Sequence, residues 1–147
     1  MLRMEFTAHA DIRIRARSNG TQEVFDVIRK SWVRYTPEER VRQHVIRFLT
    51  GPCGYPASMM SVEREIRLGE LRKKFDLLLY DRVHRPWMMV ECKAPEVPLT
   101  EAVLMQILRY HMAVPAPFLV MTNGHECLAV DIGDGQVHWL EAWPLYP

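Results

Sequence analysis

A chain of 147 residues, 48% apolar and 25% charged, is long enough to bury one full core and has the composition of an ordinary folded domain, which excludes disorder as a whole. Its formal charge of +1 argues neither for nor against a nucleic-acid partner, because a cleft can be basic when the domain is not. No apolar run approaches bilayer length, the opening Met1-Leu-Arg-Met-Glu-Phe6 lacks the regions of a signal peptide, and Cys53, Cys92 and Cys127 are too few for a disulfide framework and too scattered for a metal knuckle. A cytoplasmic protein with reduced thiols is expected.

Residues 1–35 read as an antiparallel β extension. Asp11-Ile-Arg-Ile-Arg-Ala-Arg17 alternates apolar and basic side chains, Ser18-Asn-Gly-Thr21 supplies a turn, and Glu23-Val-Phe25 begins a second strand. Alternation places Arg13, Arg15 and Arg17 on one exposed face, where solvation is the ordinary role and phosphate contact the specific one. Arg29, Lys30 and Arg34 carry the basic character toward a first helix. That helix starts at Thr36 as N-cap, with Pro37 in its first position and Glu39 placed to close a capping box. Val41, Val45, Ile46, Phe48 and Leu49 form its apolar stripe, and Gly51-Pro52 stops it.

From Met60 an alternating strand puts Glu63 and Glu65 on one face, with Arg72 or Lys74 as cross-strand partners for Glu63, and Gly69-Glu70 turns the chain into the next strand at Arg72. Two adjacent strands follow, the first carrying Lys74–Asp81 and the other running from Pro86 to Pro95. They are nearly continuous in apolar residues and hence expected to be buried on both faces. Asp76 falls near the start of the first; Glu91 and Lys93 end the second on one face, with Cys92 on the other. Pairing through Asp81–Arg85 brings Asp76 near Glu91. Two carboxylates and an ammonium on one patch suit a hard cation and phosphodiester chemistry, or else form a strand-entry cap and an ion pair. A second helix from Thr100-Glu101 to about Ala113 is apolar over a wide arc, at Val103, Leu104, Ile107, Leu108 and Met112, and carries Gln106 and Tyr110 on one face. Three strands complete the chain, at Pro117–Thr122, Glu126–Asp131 and Gln136–Leu140, the first parallel to its predecessor across the helix. Asn123-Gly124 reads as a turn. No Walker loop and no H-E-x-x-H spacing is present, so no motor is expected.

The order Asp76, Glu91-x-Lys93, then Gln106-x-x-x-Tyr110 resembles the PD-(D/E)xK nuclease signature. Phe25-Asp-Val-Ile-Arg-Lys30, Thr36-Pro-Glu-Glu-Arg-Val-Arg-Gln-His44, Lys74–Asp81, Val90–Val97 and Val120–Gly124 look like the bacterial family of type I restriction enzyme R subunit N-terminal domains. The resemblance covers residue 20 to the C-terminus. It implies an α/β fold of restriction-endonuclease type, with a mixed central sheet flanked by helices, in a single domain of residues 1–147 whose nuclease-like core is 36–147. It further implies a metal-dependent DNA nuclease. Asp76, Glu91 and the backbone carbonyl of Cys92 would hold Mg²⁺ or Mn²⁺, and Lys93 would serve the attacking water and the phosphorane. Gln106 and Tyr110 would brace the lysine or a phosphate, with Glu39 and Glu63 as supplements. The partner implied is DNA, with RNA left open, alongside separate motor and specificity subunits or a homodimer. Read from the residues, a dimerisation domain is a further possibility, with Trp87, Trp139 and Trp143 as its interface aromatics. The alternative is a catalytically inactive nucleic-acid-binding or partner-docking module of the same fold.

Overall fold

The computed structural model describes residues 2–3, 12–111 and 114–147. Its elements in chain order are β1 (Leu2–Arg3), β2 (Ile14–Ala16), β3 (Gln22–Asp26), β4 (Ser31–Arg34), α1 (Pro37–Thr50), β5 (Met60–Leu68), β6 (Leu71–Tyr80), β7 (Pro86–Cys92), α2 (Glu101–His111), β8 (Phe118–Thr122), β9 (Glu126–Asp131) and β10 (His138–Trp139). Seven strands form the central sheet in the order β1-β9-β8-β7-β6-β5, with β10 also on β9, while β2-β3-β4 form a separate antiparallel sheet. Strands β7 and β8 are parallel, joined through α2, and the other central pairs are antiparallel. This is the mixed α/β sheet expected from the sequence.

Alternation along the inner strands sends side chains to two cores. Leu77, Leu79, Met88, Val90, Cys92, Val120 and Ala129 pack with Val41, Val45, Ile46 and Leu49 of α1. Phe75, Leu78, Met89, Leu119, Met121, Leu128 and Val130 pack with Leu99 and with Leu104 of α2. Each fully buried aliphatic side chain contributes about 1.5–3 kcal/mol, so the two-sided burial of β7 and β8 makes the middle of the sheet its most stable part.

Several expectations need correction. Strand β4 was not foreseen, because the turn before it carries none of the usual turn residues at its tip. The Asp26 carboxylate accepts the Ile28 and Arg29 N–H groups at 2.7 and 2.9 Å, and Lys30 takes a left-handed φ of 54°, so the chain reverses around apolar Val27 and Ile28. Strand β6 begins at Leu71, directly after the Gly69-Glu70 turn and one residue before the expected entry at Arg72, so Asp76 falls in its middle instead of near its start. Helix α2 is less buried than its apolar arc suggested: Leu104 is covered, Val103 and Leu108 only partly, and Met105 is 53% exposed. Met112 and Ala113 lie outside the described residues. Trp143 is buried, and Trp87 is packed edge-on against Phe118 with its indole N–H on the Tyr55 hydroxyl, so of the three tryptophans assigned to a dimer face only Trp139 is exposed. The basic face of β2 is also partnered. Arg15 and Arg17 lie 2.9 and 3.5 Å from Glu23, and Arg13 and Arg15 stack on Phe25 and Trp32.

Candidate active site

The acid pair stands where the central sheet stops being regular. Strands β6 and β7 pair from Tyr80–Pro86 to Leu77–Val90, and one further step in that register sets Asp76 across from Glu91. Instead of a ladder bond there, the Cys92 N–H donates to Asp76 Oδ2 at 2.7 Å. Toward β5 the partners are Val62–Leu77 and Arg64–Phe75, so Asp76 lies opposite Glu63, whose φ of 53° is left-handed. That conformation costs a residue with a β-carbon about 1–3 kcal/mol. The alternation also breaks at this point, because Leu77 packs on the α1 side and Phe75 on the α2 side, although residues two apart in a regular strand share a face.

Glu91 is 4% exposed and lies beside Met121 in the parallel pair. Its Oε1 is buried with no hydrogen-bond partner. Burial, and then the negative charge of Asp76, push its pKa up to about 7, against the opposing pull of Lys73 and Lys93. Lys93 is half-buried, and its N–H donates to the Thr122 carbonyl at 2.8 Å. The Cys92 thiol packs on the α1 side, so alternation leaves Glu91 and Lys93 together on the α2 side. Because the N–H and C=O of one strand residue point to the same edge, the Cys92 carbonyl opens toward β6 and Asp76.

A polar chain extends from Asp76 into α1 and the small sheet. Arg42 Nη1 is 3.8 Å from Asp76 Oδ1; Arg42 Nε donates to Glu39 Oε2 at 2.9 Å and Nη2 to Glu63 Oε1 at 3.3 Å. Arg29 donates to Glu39 Oε1 at 2.5 Å and to Asp26 Oδ2 at 2.7 Å, and Gln43 bonds both Asp26 and Glu39. Burial works against the Arg42 charge, yet Glu39 and Asp76 raise its pKa, so it is a permanent cation inside the fold.

Glu39 does not close the capping box. Its N–H is capped by Thr36 Oγ1 at 3.1 Å, but the Thr36 N–H goes to the Arg34 carbonyl, and both Glu39 oxygens are held by Arg29, Arg42 and Gln43. Glu63 pairs with Arg42 and Arg29 rather than with Arg72 or Lys74, and Arg72 pairs with Glu65. Gln106 is exposed on α2, and the Tyr110 side chain lies outside the described residues. Sequence reasoning missed Asp26, Arg29, Arg42, Gln43 and Lys73 as parts of this site. The available signal was Arg42 and Gln43 standing three and four residues after Glu39, one helical turn on.

Among the described residues no group of three or more His, Cys, Asp or Glu side chains is arranged to hold a metal. Two acids and a peptide carbonyl are what the strands offer a hard cation, with water completing its shell. The unpartnered Glu91 Oε1 beside the Asp76 carboxylate fits such an ion. A cavity of about 510 Å³ opens at the other end of β7, between Pro86, Trp87, Pro117 and Asp81. Its carboxylate is already bound by Arg85 and by the Val83 and Arg85 N–H groups, so the chemistry, not the volume, locates the site.

The Glu91 environment predicts a pH effect. Its folded pKa of about 7 lies above its ordinary 4.5, so in metal-free buffer its contribution to stability is fully present below 4.5 and is lost as pH rises through 7. The loss is expected to reach about 3 kcal/mol at most. Urea melts of wild type and Glu91→Gln across that range should diverge, with only wild type weakening; parallel curves would show that Glu91 is not held protonated.

A central mixed sheet with a helix on each face and an acid pair at the point where two neighbouring strands part is the restriction-endonuclease-like α/β class. The chain belongs to the family of type I restriction enzyme R protein N termini, whose family model matches residues 37–144. That span is narrower than the motifs suggested and omits Asp26 and Arg29. Among solved structures, a fragment described as an HsdR subunit of a type I restriction enzyme from Vibrio vulnificus YJ016 is similar at 22% identity and a TM-score of 0.57, over 76% of this chain and 24% of that one. At this identity the likeness concerns the fold alone, and the chain spans about a quarter of that protein's length. No curated protein matches the chain.

Proposed function

We propose that this domain is a Mg²⁺- or Mn²⁺-dependent nuclease that hydrolyses phosphodiester bonds in DNA, within the cytoplasm and in the setting of type I restriction. The observation that carries this reading is the buried, unpartnered Glu91 Oε1 opposed to Asp76 at the open end of the β6–β7 ladder. Buried carboxyl oxygens are normally paired, and two acids this close oppose each other's ionisation unless a cation joins them.

Asp76 and Glu91 would hold the ion with the Cys92 carbonyl. When bound, the ion polarises the scissile phosphate and acidifies water. The residues' own work is separate. The Cys92 N–H fixes the Asp76 carboxylate on Oδ2, and Oδ1, which lies 3.8 Å from Arg42 Nη1, would be the oxygen offered to the cation. Lys93 presents a cation on the Glu91 face, where it orients the attacking water and offsets charge on the phosphorane. Gln106 and Tyr110 on α2 are proposed to border the path of the nucleic acid. Motor and specificity subunits would be the partners of the family's assembly.

The test combines metal binding with cleavage. Calorimetric titration with Mn²⁺ should show that Asp76→Asn and Glu91→Gln each weaken binding by more than the roughly 10–100-fold typical of an outer-shell partner, while both metal-free variants stay folded. Incubation of wild type with circular and linear DNA in Mn²⁺ should yield cut products, and nicking of the circle identifies endonuclease action. Unfolding of either metal-free variant would make the pair structural. Metal binding without any cleavage would favour the docking-module reading.

A further inference from the structure

We infer that Arg42 is a phosphate-contacting residue, whose Nη1 donates to a DNA backbone oxygen that enters beside a cation held by Asp76 and Glu91. The inference rests on the nuclease reading above and adds a residue and a ligand atom to it.

Arg42 is 6% exposed, and two parts of its fork are committed, Nε to Glu39 and Nη2 to Glu63. Nη1 is buried with no hydrogen-bond partner and lies 3.8 Å from Asp76 Oδ1. A planar guanidinium gripped at two positions cannot turn its third to another partner without releasing the first two, so Nη1 is aimed at Asp76 by construction. Its ion pair with Asp76 is too long for a hydrogen bond, and a buried charged donor without one costs more than the roughly 1–3 kcal/mol of a neutral group.

The chemistry of the missing acceptor follows from the charges. A divalent ion drawn to Asp76 would stand close to the Arg42 guanidinium, and two cations at that separation repel. An oxyanion that spans both removes the repulsion and satisfies Nη1. A phosphodiester has two non-bridging oxygens, one for each cation, and arginine is the side chain suited to such an oxygen. Metal and DNA should therefore bind with positive coupling through Arg42, and the coupling must be reciprocal. A purely structural Arg42 has a different consequence: its loss would weaken the fold, the metal site and DNA binding together.

The full chain is assayed for Ca²⁺ affinity by calorimetry, and for affinity toward a short DNA duplex with Ca²⁺ and with chelator. Arg42→Gln is expected to bind Ca²⁺ alone severalfold more tightly than wild type, since a neighbouring positive charge is gone. The gain in DNA affinity that Ca²⁺ confers should fall by about tenfold, within the usual range of coupling energies. Arg42→Lys should bind Ca²⁺ as wild type does and recover only part of the coupling. If Arg42→Gln proves too unstable to assay, Arg42→Lys decides: full wild-type coupling with lysine overturns the inference, and reduced coupling at unchanged Ca²⁺ affinity supports it. Weaker Ca²⁺ binding by Arg42→Gln, or unchanged coupling, overturns it while leaving the metal site in place. A wild type that binds no Ca²⁺ overturns the metal site and this inference with it.

Discussion

Lys93→Ala is expected to lower the rate of DNA cleavage by about 10²–10³-fold, the loss that follows removal of one group stabilising charge in a transition state, while Ca²⁺ binding and DNA binding in Ca²⁺ stay near wild type. The argument begins with its anchorage. The Lys93 N–H is bonded to the Thr122 carbonyl at 2.8 Å, so the backbone at the end of β7 is held by β8 and the side chain emerges on the Glu91 face. Its ammonium already acts there, since it opposes the rise in the Glu91 pKa. As a cation it is no ligand for a metal, so its loss falls on the reaction and little on ground-state binding. Removing it also deprives Glu91 of one of two positive neighbours, so the assays belong well on the alkaline side of the Glu91 value, where that carboxylate is ionised in both proteins. Lys93→Arg should not restore the rate, because a planar fork replaces a compact point charge. Wild-type cleavage by Lys93→Ala would end the proposed role.

The largest stability effect is expected at the other end of the polar chain, in the small sheet. Asp26 is fully buried and accepts four hydrogen bonds: from the Ile28 N–H, the Arg29 N–H, Arg29 Nε and Gln43 Nε2, at 2.7, 2.9, 2.7 and 3.1 Å. Burial alone would raise its pKa, but bonds from the Arg29 N–H and side chain outweigh that and hold it below the ordinary carboxylate value. Asp26→Ala removes the acceptor that shapes the β3–β4 turn and strands charged and amide donors in the interior. Breaking one side of a buried ionic contact costs about 3–5 kcal/mol, which for a domain of this size lowers Tm by about 10 °C. Asp26→Asn keeps the shape and one acceptor oxygen and should lose less. The same variant should flatten the acid limb of the stability curve. A depressed folded pKa means that Asp26 contributes fully above its ordinary 3.8 and is lost as pH falls through the lower folded value. A shift in Tm of under about 2 °C would mean that the Asp26–Arg29–Glu39–Arg42 chain adds little to the fold.

Most of the central sheet was readable from residues alone, because β7 and β8 are apolar on both faces and Gly69-Glu70 and Asp81–Arg85 mark the reversals around β6. Thr36-Pro37 and Gly51-Pro52 bounded α1 to the residue, since capping is local chemistry. The β3–β4 hairpin escaped because its turn is made by the Asp26 side chain and a left-handed Lys30, with apolar Val27 and Ile28 between them, so neither composition nor periodicity marks it.

For the site the division is similar. The sequence by itself determined that Asp76 and Glu91 come from adjacent strands, with Lys93 one residue past the end of β7, and that Glu91 and Lys93 share a face, because strand alternation and a short connection settle both. Only the tertiary structure decided the rest. The break in alternation at Asp76 lies opposite a left-handed Glu63 across the sheet, and the partners of Glu39 and Glu63 are arginines brought in by the packing of α1 and the small sheet. A charged side chain chooses its partner from everything within a few ångströms after packing, and that set is not confined to residues near it in the chain or across one strand.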